Sequence, residues 1–559
     1  MTNTRRDALL AGMTAVTGSF LAGATPALSA SPRHRTAVAS PAAKSLMGVG
    51  VGVEGQRKAD LGNGSYLNPI LAGDHPDPSI LKDGKVYYLV SSSFEYYPGL
   101  VLWTSTDLIN WSVVGPSLKA YVGSVFAPDL VKHQGRYFIY FAALNFMVQA
   151  DPRMTPPAKG LPPLTTYVIH ADHIEGPWSA PVDMKLPGMI DPGHAVGEDG
   201  QRYLFFDDGR RVPISADGLS AAGPVTKVYE GWKYPEDWIV EGFALEGPKM
   251  IFRQGWHYMF SAEGGTGGPP TGHMVIVARS RSLDGPWENC PHNPIIRTLN
   301  KDEPWWSKGH ATPIQGPGGD WWVIYHAYEN GYRTLGRETI LEPLEWTADG
   351  WPRVSPRDLR KPIRKPAGGK PGPHGLALST AFSSADLGAR MTVYKPRGDY
   401  LSRFVFEEGG VTLKAQGAHP RQSSPLLLNS GDHRYEVTVD VELQDAAQAG
   451  LLIFYDERFF CGLAVDAKAV KIYKAGDTSP LMPAGPPIGR SFSLRLVNDD
   501  NIVTFFTKEP GAAWRQRISF DVAGYNHNVA DGFLSLRPGL SAAGEGFVRY
   551  RNLRYQALG

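Results

Sequence analysis

From residue 435 to 442 apolar and polar side chains alternate without a break: Tyr435, Val437, Val439 and Val441 fall on one face, Glu436, Thr438, Asp440 and Glu442 on the other. Such period-two alternation marks a half-buried β-strand. Ala449 to Tyr455 adds a continuous apolar run. Gly and Asp turns separate such stretches through residues 377–559, which predicts a β-sandwich. Upstream the pattern changes but stays β. A turn glycine followed closely by strand aromatics occurs five times: Gly84 with Tyr87 and Tyr88, Gly135 with Tyr137 and Phe138, Gly200 with Tyr203, Gly255 with Trp256 and Tyr258, and Gly319 with Trp321 and Trp322. Each reads as a hairpin.

A few residues before each of these glycines stands an ionisable residue close to Pro or Gly: Asp77, Asp129, Asp191, Glu246 and His310. The repeat is roughly fifty to sixty residues long, the size of one four-stranded propeller blade. Five copies across residues 65–355 predict a closed five-bladed ring. The innermost strands border the central channel, so the five phased residues converge on one mouth. Turn chemistry alone accounts for any one of them, but five in phase point to a functional group. Residues 356–376 are rich in Pro, Lys and Gly and read as a linker. The expected fold is therefore all-β, a five-bladed β-propeller followed by a β-sandwich.

Composition narrows the partners. The 63 glycines, 46 prolines and 14 tryptophans favour short strands and tight turns over long helices. A formal net charge of +1 provides no field for a polyanion, so nucleic acid is not an expected partner and the ligand is expected to be neutral. Cys290 and Cys461 are too few for a disulfide framework. Residues 1–30 read as a twin-arginine export signal: Arg5-Arg6, an apolar run of small residues, and Ala27-Leu28-Ser29-Ala30. That leaves an N-terminal extension at residues 31–64. The expected location is periplasmic or extracellular, with no membrane partner after signal removal.

Carboxylates at one rim suit glycoside cleavage, which needs one acid to protonate the leaving oxygen and a second carboxylate to activate water or attack the anomeric carbon. Asp77, Asp129 and Glu246 are the candidates, each close to a proline that stiffens the backbone presenting it. Crowding also raises the pKa of at least one member of such a group. The longer side chain of Glu246 reaches further toward a leaving group, which makes it the candidate acid.

At these residues the sequence resembles glycoside hydrolase family 43, especially its β-xylosidase and α-L-arabinofuranosidase members. The resemblance runs over roughly residues 66–550. It rests on the stretch from Asn68 to Ser79 that contains His75-Pro76-Asp77-Pro78, on Ser92-Ser93-Phe94-Glu95, on Ala127-Pro128-Asp129, on Glu246-Gly247-Pro248, and on Leu335-Gly336-Arg337-Glu338-Thr339. It implies an inverting mechanism with Asp77 as general base, Glu246 as general acid, and Asp129 tuning and orienting the acid. It also implies that Arg337 contacts sugar hydroxyls and Phe94 lines the pocket. His310 would lie near the channel, where some relatives place a calcium ion or water; no cofactor is required beyond such a structural calcium. The C-terminal region looks like the concanavalin-like sandwich of bacterial β-xylosidases of this family. The expected function is exo-acting release of xylose or arabinofuranose from plant-type poly- or oligosaccharides. A galactose- or galactofuranose-specific member of the family is an alternative, as is a glycan-binding propeller without catalysis, against which the intact Asp77 and Glu246 argue. Two departures bear on the sugar: Phe126 stands where Trp often precedes Ala-Pro-Asp, and the glycine run from Gly264 to Pro270 reads as a flexible loop.

Overall fold

In a computed structural model that describes residues 50–145 and 151–559, the five sequence repeats become five antiparallel sheets, four of four strands and one of five. The export-signal reading at residues 1–30 and the first part of the extension lie outside the described residues. Blade 1 is built from Ser79–Asp83, Val86–Val90, Gly99–Ser105 and Ser112–Leu118. Blade 2 follows with Ser124–His133, Arg136–Leu144, Leu164–Ala171 and Val182–Pro187. Blade 3 comprises Gly193–Val196, Arg202–Phe205, Arg210–Ile214 and the short Thr226–Lys227. Blade 4 has Glu246–Arg253, Trp256–Glu263, Met274–Ser280 and Glu288–Asn289, with Ile296–Arg297 pairing alongside the third strand. Blade 5 ends the ring with Trp305–Gln315, Trp321–Glu329, Arg337–Trp346 and Pro352–Arg353.

The repeat glycines sit where the first strand of each blade turns into the second. Gly84, with φ +61°, shows why the position selects glycine: that left-handed backbone carries no Cβ penalty only for Gly. The first strands neighbour one another in sequence order, and the first strand of blade 5 lies against that of blade 1, so the ring is closed. Its ends are tied by backbone hydrogen bonds. The Ile70 amide donates to Thr339 O and the His75 amide to Arg337 O, which lays the entry segment along the third strand of blade 5.

The C-terminal half is strand-rich as expected. Arg434–Phe454 and Arg537–Ala557 pair antiparallel along their length, from Tyr435 opposite Ala557 to Phe454 opposite Arg537. The alternation at 435–442 is seen in burial: Tyr435, Val437, Val439 and Val441 are buried, while Glu436, Thr438, Asp440 and Glu442 are partly exposed. This half is bonded into the propeller rather than hung beside it. Tyr96–Tyr97, between the second and third strands of blade 1, pairs with Met391–Tyr394 and so joins the sandwich sheet. One apolar cluster runs through from Val90, Phe94 and Leu102 to Val393, Leu427 and Phe454.

Candidate active site

The five phased residues do not occupy equivalent places. Asp77 and Asp191 each stand two residues before the first strand of their blade, which begins at Ser79 or Gly193. Glu246 opens its strand, while Asp129 and His310 lie within theirs. Asp77, Asp191 and His310 have φ of 54°, 59° and 52°, a left-handed backbone uncommon outside glycine. Such conformations persist where the surroundings over-determine them, and they cluster at functional sites.

His310 is the centre of the group. Its Nδ1 is 3.5 Å from Asp77 Oδ1, and its Nε2 is 3.4 Å from Glu246 Oε1 and 3.6 Å from Asp191 Oδ2. All four residues are buried. Gly247 makes room for this ring: at φ +63°, a Cβ there would come to 2.9 Å from His310 Nδ1. The Glu-Gly-Pro triplet thus presents the carboxylate and clears space for the histidine.

Asp77 is heavily bound. Arg337 forks onto it at 2.8 and 3.3 Å, Ser92 Oγ donates to Oδ2 at 2.6 Å, and His326 Nδ1 lies 2.9 Å from Oδ1. Burial alone would raise its pKa, but the Arg337 guanidinium, His310 and the His326 bond together hold it well below the usual carboxylate range. Asp191 is the opposite case. Burial pushes it up to about 7; His310 opposes that, while the neighbouring Glu246 and Asp77 charges add to it. One carboxyl pushed below the ordinary carboxylate range and another pushed above it within the same group is the pattern of an acid/base site.

Asp129 stands apart from this group. One carboxylate oxygen accepts from Lys249 Nζ at 2.9 Å and Ser79 Oγ at 3.2 Å, and the other from the His194 amide at 2.7 Å. It faces Tyr140 across the ladder of blade 2 and ties that blade to three others. Asp191, which the sequence placed in phase but not among the candidate site residues, reaches His310 together with Asp77 and Glu246.

An aromatic wall stands beside Arg337 on one side of the group. Phe94 is 5.8 Å from Phe126 and stacks at 6.0 Å on Phe533, which comes from the sandwich; the Arg337 guanidinium lies 5.4 and 5.0 Å from the two stacked rings. His527 stacks on Phe533 at 4.1 Å. The glycine run from Gly264 is pinned in this region. Gly267 N–H donates to Glu241 at 2.7 Å, and Asn528 of the sandwich donates to Gly267 O at 2.8 Å and Gly268 O at 3.3 Å. The sequence offered no signal for Phe533 or Asn528, because their place depends on how the second half folds back.

The residues around His310 do not fit calcium, which takes about six to eight oxygen ligands. His310 has His273 and His326 as ring neighbours at 5.6 and 5.2 Å. The one cluster of candidate donors among the described residues, Glu246, His273 and His310, supplies a single carboxylate and two imidazoles. Although burial disfavours charge on His310, Asp77, a bond to Glu246 and Asp191 raise its pKa and so favour the charged form of the ring between the acids.

The description "Glycosyl hydrolases family 43" matches residues 66–352, which includes the whole propeller apart from its last residue. The chain is 33% identical over 305 residues to the non-reducing end α-L-arabinofuranosidase BoGH43B of Bacteroides ovatus, over 52% of this chain and 53% of that protein. It is 31% identical over 326 residues to a xylan 1,3-β-xylosidase of a Vibrio species, over 52% of this chain and 57% of the relative. The chain thus spans about half the length of the curated relatives it matches. The crystal structure of xylan β-1,4-xylosidase from Bacillus halodurans C-125 superposes with a TM-score of 0.76 at 23% identity, covering 88% of this chain and 99% of that one, and so shares its fold. With a family match across more than half its length, the chain belongs to glycosyl hydrolases family 43.

Proposed function

We propose that the protein is an exo-acting, inverting glycoside hydrolase that releases a terminal xylose or arabinofuranose from plant-type poly- or oligosaccharides. The observation that carries this reading is the placement of Asp77 and Glu246 at opposite nitrogens of the His310 ring. The acids are separated by a side chain instead of touching, as suits an inverting pair, whose carboxyls stand roughly 6.5–9.5 Å apart to admit a water. Asp77, held ionised by Arg337, is the base that takes a proton from that water. Glu246 protonates the leaving oxygen. Asp191 takes the tuning role that the resemblance implied for Asp129, since it shares His310 with the acid. Arg337 spends its fork on Asp77, so its contribution is to orient and ionise the base.

The pentose assignment draws on the printed activities of the arabinofuranosidase and xylosidase relatives. The exo assignment draws on Phe94, Phe126 and Phe533, which wall one side of the group and suit a chain end better than a chain middle. A panel of nitrophenyl glycosides of xylose, arabinofuranose, galactose and galactofuranose, with NMR of the first anomer released, tests sugar and stereochemistry together. The expected outcome is fastest release from a pentoside with inverted configuration, and monosaccharide before any oligomer when xylan or arabinan oligosaccharides are digested. Early mixed oligomers, or a retained anomer, contradict the proposal.

The two candidate tuning residues separate by mutation. Asp191→Asn is expected to lower kcat about tenfold or more. It also moves the alkaline limb of kcat/KM to lower pH by about one unit, because two coupled acids hold a shared proton to higher pH than one acid does alone. Asp129→Asn leaves that limb in place and lowers the melting temperature, since Lys249 is then buried opposite a neutral partner. The reverse pattern in the two pH profiles returns the tuning role to Asp129.

A further inference from the structure

A cavity of about 110 Å³ lies where blade 1, the entry segment before it and the sandwich meet, apart from the acid group. Of the residues described around His310 its wall contains only Ser92, whose hydroxyl is committed to Asp77. Three other wall residues carry buried polar atoms with no hydrogen-bond partner among the described residues: Ser93 Oγ, Trp103 Nε1 and Thr392 Oγ1. They come from different elements. Ser93 follows the second strand of blade 1, Trp103 lies in its third strand and is 8% exposed, and Thr392 belongs to Met391–Tyr394 of the sandwich. Buried donors and acceptors are almost always satisfied, so three orphans around one cavity point to a ligand that hydrogen-bonds there.

The rest of the wall sets the charge and size of that ligand. Arg57 is bridged to Glu329 and Glu338, Arg537 to Asp74, and Arg390 to Asp386, while Asp432 accepts from the Tyr555 hydroxyl and the Arg57 amide. Burial is the first cause that lowers the pKa of His75 to about 3 and of His374 to about 4, so both rings are neutral. No unpaired charge faces the cavity, and an ion has no counterpart there. At roughly 10–30 Å³ for each water-sized centre, the cavity takes about four to ten of them, which is the size of a polyol of about three to five carbons. Water alone suits it less well. A buried water needs about two to four polar partners, and the side chains of Leu71, Val101, Leu376 and Leu378 supply none. A polyol lays its carbon skeleton against such side chains and turns its hydroxyls to the three orphans.

We propose that this cavity is a second binding site, separate from the acid group, for a small neutral polyol of the size of glycerol or a free pentose, held by Ser93, Trp103 and Thr392. The site stands independently of which sugar the acids cleave.

The test uses the full chain. Crystals soaked separately in glycerol, D-xylose and L-arabinose are expected to show the polyol in the cavity, within hydrogen-bond distance of Trp103 Nε1 and Thr392 Oγ1. Ligand-observed NMR titration with the same three compounds gives the affinity in solution, and a pentose that binds more tightly than glycerol marks a released sugar as the occupant, whereas equal binding marks a general solute. Thr392→Val keeps the volume, removes one hydroxyl and is expected to weaken glycerol binding about two- to tenfold, the range of one neutral hydrogen bond. Trp103→Phe weakens it by a similar factor. The kcat of both variants on a nitrophenyl pentoside stays within about twofold of wild type, because neither residue belongs to the acid group. Xylonate, of similar size but charged, does not bind in the cavity. Ordered water alone in the soaked crystals, binding at crystal concentration only, or equal glycerol affinity in wild type and Thr392→Val overturns the proposal. None of these readouts requires turnover, so a failure of the glycosidase reading is seen separately, in the nitrophenyl assay.

Discussion

Asp77→Asn retains no more than about 10⁻² to 10⁻⁴ of the wild-type kcat/KM, the range by which general acid–base catalysis accelerates a reaction. The substitution keeps the side-chain volume and removes the charge. Of the bonds that hold Asp77, that from Ser92 survives opposite an amide oxygen, whereas the Arg337 fork and the His326 contact lose their anionic acceptor. Arg337 is itself buried, so the variant also loses stability; breaking a buried ion pair costs about 3–5 kcal/mol. Activity therefore has to be measured well below the variant's melting temperature, with near-UV circular dichroism showing native packing. Glu246→Gln is the matched control at the opposite nitrogen of His310, and its loss is greatest on substrates with poor leaving groups, where the acid matters most. A folded Asp77→Asn enzyme within tenfold of wild type removes Asp77 from the base position.

Much of this site is legible in the chain, and the part that is not has an identifiable cause. The repeat gives the blades, because a hairpin glycine and its aromatic strand are local features that survive in sequence. It also gives the convergence of Asp77, Asp191, Glu246 and His310, because phase within a repeat is phase around a ring. Proximity to proline fails to separate Asp129 from Asp191. The order of the dipeptide does separate them: Asp77-Pro78 and Asp191-Pro192 put the acid before the proline, at a left-handed residue ahead of the strand, whereas Pro128-Asp129 puts it inside the ladder. The glycine run reads as a flexible loop because its anchors, Glu241 and Asn528, sit 26 and 261 residues away from Gly267. Nothing local in the run records them. Arg337 is legible as a site residue, yet its fork onto Asp77 depends on blade 5 closing against blade 1, which only the folded ring supplies.

Removal of residues 377–559 is expected to leave a propeller that neither stays soluble nor turns over substrate, with a loss comparable to the roughly 5–15 kcal/mol that holds a typical domain together. Three layers of contact are cut at once. The backbone pairing of Tyr96–Tyr97 with Met391–Tyr394 is lost, and the apolar cluster around Phe94, Tyr96 and Leu102 opens to water. Charged groups lose their partners next. Arg537 pairs with Asp74 at 3.1 Å and covers the Tyr96 ring at 3.5 Å, while His433 bonds Glu329 at 2.8 Å and stacks on Tyr332. Arg57, which bridges Glu329 and Glu338 of blade 5, also donates to Gly431 O and to the Asp432 carboxylate from its amide. Asp74 is three residues from Asp77, so the release of Arg537 is expected to loosen the segment that carries Asp77. Finally the site loses Phe533 from its wall and Asn528 from its glycine run. Expression of the shortened chain, followed by sedimentation, thermal melting and nitrophenyl pentoside assay, reads all three layers. Co-expression with residues 377–559 as a separate chain is expected to recover soluble, active protein, because the surfaces are complementary and one core spans them. A shortened propeller that melts within a few degrees of the full chain and keeps its kcat shows instead that these contacts are dispensable, and it removes the sandwich from the mechanism altogether.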